Sequence, residues 1–166
     1  ESDLRVTLAD LNTHLHAAGK KRIFVTMAIG VLDIKERTLD LARAGHNAIL
    51  WRRPRRSESR FVQPKGLGLG ITTRLLFERN LEVTRLELEP GEVVVLYSDG
   101  VPEAMNIARE QYGEERLTAV VERCDGLTAE QIQAEILRDL HHFIGAAPPH
   151  DDITLFVLRW GENGNQ

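Results

Sequence analysis

The 166-residue sequence has one cysteine, no long apolar run and no excess of basic residues. Cys124 alone cannot form an internal disulfide or supply a zinc site, which favours a reducing compartment and predicts a cytoplasmic location. No apolar segment approaches the roughly 20 residues that cross a bilayer, and no signal-peptide pattern opens the chain. We therefore expect no membrane contact by this domain.

The charge is balanced, with a formal net value of -4 and with acids and bases well mixed. A nucleic-acid binder would show a strongly basic footprint, so this composition predicts a small-molecule or protein substrate and no nucleic acid. With 42% hydrophobic residues, the chain suits a single domain over residues 1–166. Its first residue is Glu1 and not methionine, which indicates a piece of a longer protein.

The hydrophobic periodicity predicts helices at the beginning and near the end of the chain, with strands between and after them. The first helix is indicated by leucines at helical spacing between a capping serine and a terminating glycine: Ser2, Leu4, Leu8, Leu11, Leu15 and Gly19. Strands are predicted over 23–34, 38–44, 48–52, 81–88, 93–97 and 152–160, and two helices over 113–124 and from the Thr128 capping box through Phe143. Residues 23–34 and 38–44 form one predicted hairpin, and 81–88 and 93–97 another. This order indicates an α+β layered domain.

Residues 52–60 are basic and aperiodic, and four of their five arginines, Arg52, Arg53, Arg55 and Arg56, are the docking candidates. They fit a solvated hairpin loop, or an electropositive lip that attracts a phosphorylated partner because arginine matches phosphate bidentately. The glycine-rich segment 66–70 lacks the G-x-G-x-x-G spacing and a following Lys-Ser/Thr. A turn, or a loop passing close over a site, is therefore the preferred interpretation.

The most informative segment runs from Val93 to Glu103, where an apolar strand ends in Asp99 followed by Gly100. A second pair of acids, Asp151 and Asp152, opens the last apolar segment. Two strands that each carry a carboxylate at one end can form a site for a hard cation. The alternative is that Asp99 caps a helix while Asp151 and Asp152 only begin a strand.

Other catalytic chemistries find little support. Ser98 lacks the G-x-S-x-G elbow, and Cys124 lies on an apolar helix stripe without a C-x5-R loop. The histidines lack metal-ligand spacing. His46 is kept as a candidate for a functional role because it occupies a turn between glycine and asparagine.

Five motifs occur in order along nearly the whole chain. They are 44–47 (Ala-Gly-His-Asn), 66–71 (Gly-Leu-Gly-Leu-Gly-Ile), 88–104 (around Ser-Asp-Gly), 112–113 (Tyr-Gly) and 151–155 (Asp-Asp-Ile-Thr-Leu). Each motif alone is weak, but in this order the chain resembles the bacterial SpoIIE-like branch of the metal-dependent, type 2C protein phosphatases.

The resemblance implies an incomplete type 2C α-β-β-α sandwich with mostly antiparallel sheets, and a phosphoserine/phosphothreonine phosphatase that uses two Mn²⁺ or Mg²⁺ ions and a metal-activated water. By motif match it implies Asp99 and Asp151 as metal ligands, with Gly100 and Asp152 as further candidates. Asp152 is preferred as a neighbour that orients the strand end or a water. Glu103, His46 and Thr154 are expected to support the site.

Two earlier aspartate motifs of the family, Gly-Asp-Phe/Tyr-Tyr-Asp and Gly-Asp-Val-Ser-Gly, have no counterpart in this sequence. We therefore expect this chain alone to bind metal weakly and to have little activity. An exposed strand edge would favour homodimerisation. The expected substrate of the parent protein is a phosphorylated signalling protein of the STAS type, an anti-sigma-factor antagonist. The competing hypothesis is a non-catalytic protein-interaction module on the phosphatase scaffold.

Overall fold

The computed structural model describes residues 3–18, 24–148 and 151–161. Its elements, in chain order, are α1 (Leu4–Ala18), β1 (Met27–Asp33), β2 (Thr38–Ala44), β3 (Ile49–Arg53), a 3-10 turn (Pro54–Arg56), β4 (Glu58–Val62), α2 (Arg74–Arg79), β5 (Val83–Glu87), β6 (Val93–Tyr97), α3 (Gly113–Glu122), α4 (Ala129–Ile144) and β7 (Leu155–Arg159). The predicted helix boundaries at Ser2 and Gly19, the strand start at Ile23, and His150 lie outside the described residues.

The chain divides into two compact units, and the first contains Glu1–His46 and Gln63–Leu88. Its sheet has the order β1-β2-β5, with both pairs antiparallel. Leu4 and Leu8 of α1 and Phe77 of α2 are buried with Ala42 and Ala44 of β2. The predicted apolar stripe of α1 is therefore buried in the first turns of the helix, whereas Leu11, a later member of the stripe, is 38% exposed.

The second unit contains Asn47–Val62 and Glu89–Gln166. Its antiparallel sheet has the order β4-β3-β6-β7. Strand β6 is buried at four of its five positions, as its run of apolar residues without alternation predicts. The core consists of this strand together with the apolar faces of α3 and α4, including Leu117, Ile132 and Ile136. The predicted capping box is present, with Thr128 Oγ1 accepting from Gln131 N and Gln131 Oε1 accepting from Thr128 N.

The predicted hairpin between 81–88 and 93–97 is wrong. Strand β5 pairs with β2, from Thr38 opposite Glu87 to Ala42 opposite Val83, whereas β6 pairs with β3 and β7. The tight turn at 89–92 does exist, but Gly91 N donates to Trp160 O at 2.8 Å. The turn therefore leads the chain from one sheet to the other, which a turn motif alone cannot reveal because local spacing does not specify the partner strand.

Several predicted boundaries also need correction. Residues 52–60 are not one loop, because β3 extends through Arg53 and β4 begins at Glu58. Within the described residues β1 begins at Met27, and β7 begins at Leu155 rather than 152. The short helix α2 was not predicted, since its six residues are too few to show a helical period. The α+β class with antiparallel sheets is confirmed.

Candidate metal centre

Ser98 fastens the end of β6 to the segment that precedes β7. Its Oγ donates to Asp152 O at 3.0 Å and accepts from Thr154 N at 2.9 Å. Its main-chain N also donates to Thr154 O at 3.0 Å. These three bonds continue the β6–β7 ladder beyond its last pair, Tyr97 opposite Leu155. Asp99 and Asp151 are therefore carried on two segments that are held side by side.

Gly100 is required by the close approach of the same two segments. A Cβ atom built at this position would lie 2.4 Å from Asp152 O and 3.0 Å from Asp152 C. Any side chain would push the Asp152 backbone away, so the glycine of the Ser-Asp-Gly motif has a steric cause. The structure thus accounts for Gly100 by packing, independently of any role as a metal ligand.

The three carboxylates of the candidate site are exposed. Asp99 Oδ1 accepts from Gly100 N at 3.1 Å, and Asp151 Oδ1 accepts from Asp152 N at 2.7 Å. The helix-capping alternative for Asp99 does not hold, because turns follow it and the next helix begins only at Gly113. Likewise, β7 begins four residues after Asp151, so the acids do not open the strand directly.

The chemistry of this donor set suits a hard divalent cation, because Mg²⁺ and Mn²⁺ prefer carboxylate oxygens. The number of donors does not complete a site. Among residues 3–18, 24–148 and 151–161, no group of three or more His, Cys, Asp or Glu side chains could hold a metal ion. Asp99 and Asp151 thus have suitable chemistry for a hard cation, but the described residues do not complete a group of three around them.

The predicted supporting residues fall into different places. Glu103 N donates to Asp99 O at 3.0 Å, and Thr154 contributes its main-chain N and O to Ser98, so both act at the site through their backbones. His46 belongs to the first unit, where its carbonyl oxygen accepts from the Arg43 guanidinium. His46 lies in the turn that follows β2.

The two glycine motifs of the first unit contact each other. Gly45, at φ +66°, donates its N–H to Gly66 O at 3.0 Å, and a Cβ on Gly66 would lie 1.6 Å from Arg43 O. Further along, Leu69 exchanges both main-chain bonds with Val25, and Gly70 N donates to Asn12 Oδ1 at 2.9 Å. Several amides of this loop are thus used internally. The segment is a close-packed turn, as the sequence favoured, and not a phosphate cradle.

Two of the four arginines predicted to dock a partner are unsuited to that role. Arg52 and Arg53 are each 8% exposed. Arg52 Nη2 pairs with Asp125 Oδ2 at 3.1 Å, while Arg53 Nε bonds to Glu92 Oε1 at 2.9 Å and its guanidinium lies 4.4 Å from the centroid of the Trp51 ring. Hydrogen bonding to Glu92 raises the pKa of Arg53. These arginines stabilise β3, and the predicted lip reduces to the exposed Arg55 and Arg56, the latter paired with Glu89.

Neither candidate nucleophile is available. Cys124 is buried, its Sγ donates to Val120 O, and burial raises the pKa of its thiol. The hydroxyl of Ser98 is engaged between Asp152 O and Thr154 N. Sequence reasoning considered Ser98 only as a nucleophile and missed its positioning role; a small hydroxyl residue at the end of a strand beside the acid was the available signal.

Solved structures with similar folds define the class. The SiaA-PP2C domain of Pseudomonas aeruginosa superposes with a TM-score of 0.78 and 18% sequence identity, and the match covers 95% of this chain and 61% of the SiaA chain. The phosphatase domain of the cell fate determinant SpoIIE from Bacillus subtilis, in a Mn-presoaked form, has a TM-score of 0.69 and 18% sequence identity. This match covers 98% of the present chain and 67% of the SpoIIE chain. The chain therefore has the fold of a type 2C phosphatase domain, as predicted.

The family model of SpoIIE, the stage II sporulation protein E, matches residues 1–161. Because the match covers nearly the whole chain, this protein belongs to the SpoIIE family. A curated relative, Protein IcfG of Synechocystis sp., is 26% identical over 145 residues, which are 84% of this chain and 21% of IcfG. The chain thus spans about a fifth of that relative and less than two thirds of the SiaA domain.

Proposed function

We propose that this chain is part of a metal-dependent phosphoserine/phosphothreonine protein phosphatase domain, in which Asp99 and Asp151 are metal ligands. The observation that carries the proposal is the Ser98 connection, which holds the two aspartate-bearing segments side by side. Membership of the SpoIIE family and the type 2C fold support it.

Each residue of the site has a distinct task in this proposal. Asp99 and Asp151 bind the cation with their carboxylates, Ser98 keeps the two segments in register, and Gly100 permits the close approach of Asp152. The cation, Mn²⁺ or Mg²⁺, supplies a water activated for attack on phosphorus.

The proposed substrate is a phosphorylated signalling protein, of the STAS-type antagonist class, in the cytoplasm. This part of the proposal rests on the family resemblance together with the balanced charge of the chain. Among the described residues no helix is both long enough and apolar enough to cross a bilayer.

Metal binding by the chain itself provides the first test. Because the described residues supply no group of three ligands, we expect isothermal titration calorimetry with Mn²⁺ to show at most weak binding, which Asp99→Asn and Asp151→Asn each reduce further. The matched control is Asp125→Asn, which removes a carboxylate that pairs with Arg52 instead. Two tight Mn²⁺ sites in this chain would contradict the expectation.

Catalysis is tested in the full-length protein that contains this chain. We expect hydrolysis of a phosphoserine peptide that depends on Mn²⁺ or Mg²⁺ and falls by at least a hundredfold in Asp99→Asn, because one metal ligand is lost. Asp125→Asn should retain the activity. Hydrolysis that survives Asp99→Asn would exclude the proposed ligand role.

A second candidate is a non-catalytic protein-interaction module on the phosphatase scaffold. The incomplete ligand set within residues 3–18, 24–148 and 151–161 favours it. Absence of metal-dependent hydrolysis in the full-length protein, with the fold intact by circular dichroism, would establish this alternative over the enzyme.

A further inference from the structure

A pocket of about 240 Å³ opens beside the candidate metal centre. Gly100 and Asp151 line one side of it, so the pocket and the candidate ligands share residues. Its remaining walls come from the loop after Asp99, the end of α4 and the segment before β7: Ala104, Met105, His141, Ile144, Gly145, Ala147, Pro148 and Ile153. All of these residues belong to the second unit.

The lining predicts what the pocket binds. Among the described residues that line it, His141 and Asp151 are the only ionisable ones, and the others are apolar residues or glycines. Its volume is below the roughly 300–1,000 Å³ of sites that hold whole small-molecule ligands. The size and the lining together suit one large apolar side chain.

The loop that carries Met105 is held by its own hydrogen bonds. Asn106 Nδ2 donates to Glu110 Oε2 at 2.8 Å, and Glu110 N donates to Asn106 Oδ1 at 3.0 Å. The main chain adds Asn106 N to Glu110 O at 3.1 Å. This closed ring presents Ile107 with 73% of its surface exposed, two residues beyond the pocket wall. The loop beside the pocket thus has a conformation fixed by its own hydrogen bonds.

We propose that this pocket binds an apolar side chain within two positions of the phosphorylated residue of the protein substrate. The inference rests on the proposed function, because it places the phosphoryl group at Asp99 and Asp151. The pocket and the candidate metal centre share Asp151. An extended peptide advances about 3.3–3.6 Å per residue, and its successive side chains point to opposite faces. A residue one or two positions from the phosphoserine therefore reaches the pocket, which narrows the substrate class to phosphoproteins with a large apolar residue at such a position.

The two methionines of the chain allow a direct test. Met105 lines the pocket, and Met27 lies on β1 in the first unit. With ¹³C-methyl methionine, we expect a phosphoserine peptide flanked by leucines, titrated to saturation, to shift the Met105 methyl resonance with or without Mg²⁺, leaving Met27 unchanged. The same peptide flanked by asparagines, which have a similar size, should bind at least fivefold more weakly.

Ala147→Leu fills the pocket without removing a core side chain and should abolish the Met105 shift. The matched control is Ala146→Leu, an exposed neighbour outside the lining, which should bind as the wild type does. Equal responses to the leucine and asparagine peptides, or no Met105 shift with either, would overturn the inference. The readout requires no turnover, so a failure of phosphatase activity is separable from a failure of the pocket.

Discussion

At the scale of single residues, the candidate site depends more on positioning groups than on the acids themselves. Ser98 makes three hydrogen bonds across the β6–β7 end, and Gly100 leaves room for the Asp152 carbonyl. Neither residue needs to touch a metal to be essential for the relative placement of Asp99 and Asp151.

The Gly100→Ala variant tests this placement. Its Cβ would lie 2.4 Å from Asp152 O, so the backbone must shift, and we expect unfolding in urea to become easier by roughly 1–3 kcal/mol. Gly161→Ala is the matched control, because a Cβ there meets nothing within 4 Å, and its effect should stay within about 0.5 kcal/mol. Equal effects of the two substitutions would disprove the steric role of Gly100.

A second residue-scale prediction concerns Asp139 on α4. Its Oδ2 accepts from Arg116 Nε at 2.7 Å and from Tyr112 OH at 3.0 Å. The hydrogen bond from Arg116 lowers the pKa of Asp139 below its ordinary 3.8. A carboxyl whose pKa is lower in the folded state stabilises that state above the unfolded pKa, and the contribution disappears as pH falls through the folded pKa.

We therefore expect Asp139→Asn to lower the free energy of unfolding at pH 7 by about 1 kcal/mol, after allowance for solvent screening. The difference from the wild type should shrink as the pH falls below 3.8. Urea unfolding between pH 7 and pH 3 measures it. Glu115→Gln, an exposed first-turn position on α3, removes the same charge and should show no comparable pH-dependent difference. A deficit independent of pH would rule out the ionic contribution.

At the scale of elements, the outer strands of the two sheets differ from the central ones. β1 is one edge of the first sheet, and its Val31 and Leu32, which point to opposite faces, are 38% and 37% exposed. β7 is an edge of the second sheet and exposes Phe156 by 55%. Exposed apolar edges of this kind favour pairing with another strand.

The homodimer predicted from the sequence is tested at β1. If two copies associate through this edge, Val31→Lys should shift sedimentation toward the monomer, because a charged residue on an edge strand opposes strand addition. Ile34→Lys, at an exposed position just beyond the strand, should leave the association unchanged. Wild-type protein that sediments as a monomer at high concentration would refute the prediction.

At the scale of the whole molecule, the sequence predicted the types of most elements and missed the partners of some strands. Val93–Tyr97 and the α4 capping box have local signals, namely an uninterrupted apolar run and a Thr-x-x-Gln spacing. The pairing of β5 with β2 has no such signal, because it joins residues more than 40 positions apart across several turns. Local pattern specifies an element, whereas its neighbour in the sheet is selected by the packing of the complete unit.

The same distinction applies to the candidate site. Asp99 and Asp151 were predicted as ligands because motifs mark them, whereas the close approach of the Asp152 backbone to Gly100 was not predicted. Arg52 and Arg53 were misjudged because charge in a sequence does not show whether a side chain is buried and paired. The pocket beside Asp151 has no sequence signal, since its walls come from three separate segments.

The Ser98 bonds also impose an order on the assembly of the site. They join residues that are 54 and 56 positions apart. In a truncated chain that ends before Thr154, these bonds cannot hold the segments of the two candidate ligands together. A nascent or proteolysed chain lacking the last strand would carry Asp99 on an unanchored turn. Closing so long a segment costs conformational entropy that only the docked β7 offsets. Asp99 and Asp151 are therefore expected to come together only after β7 has docked.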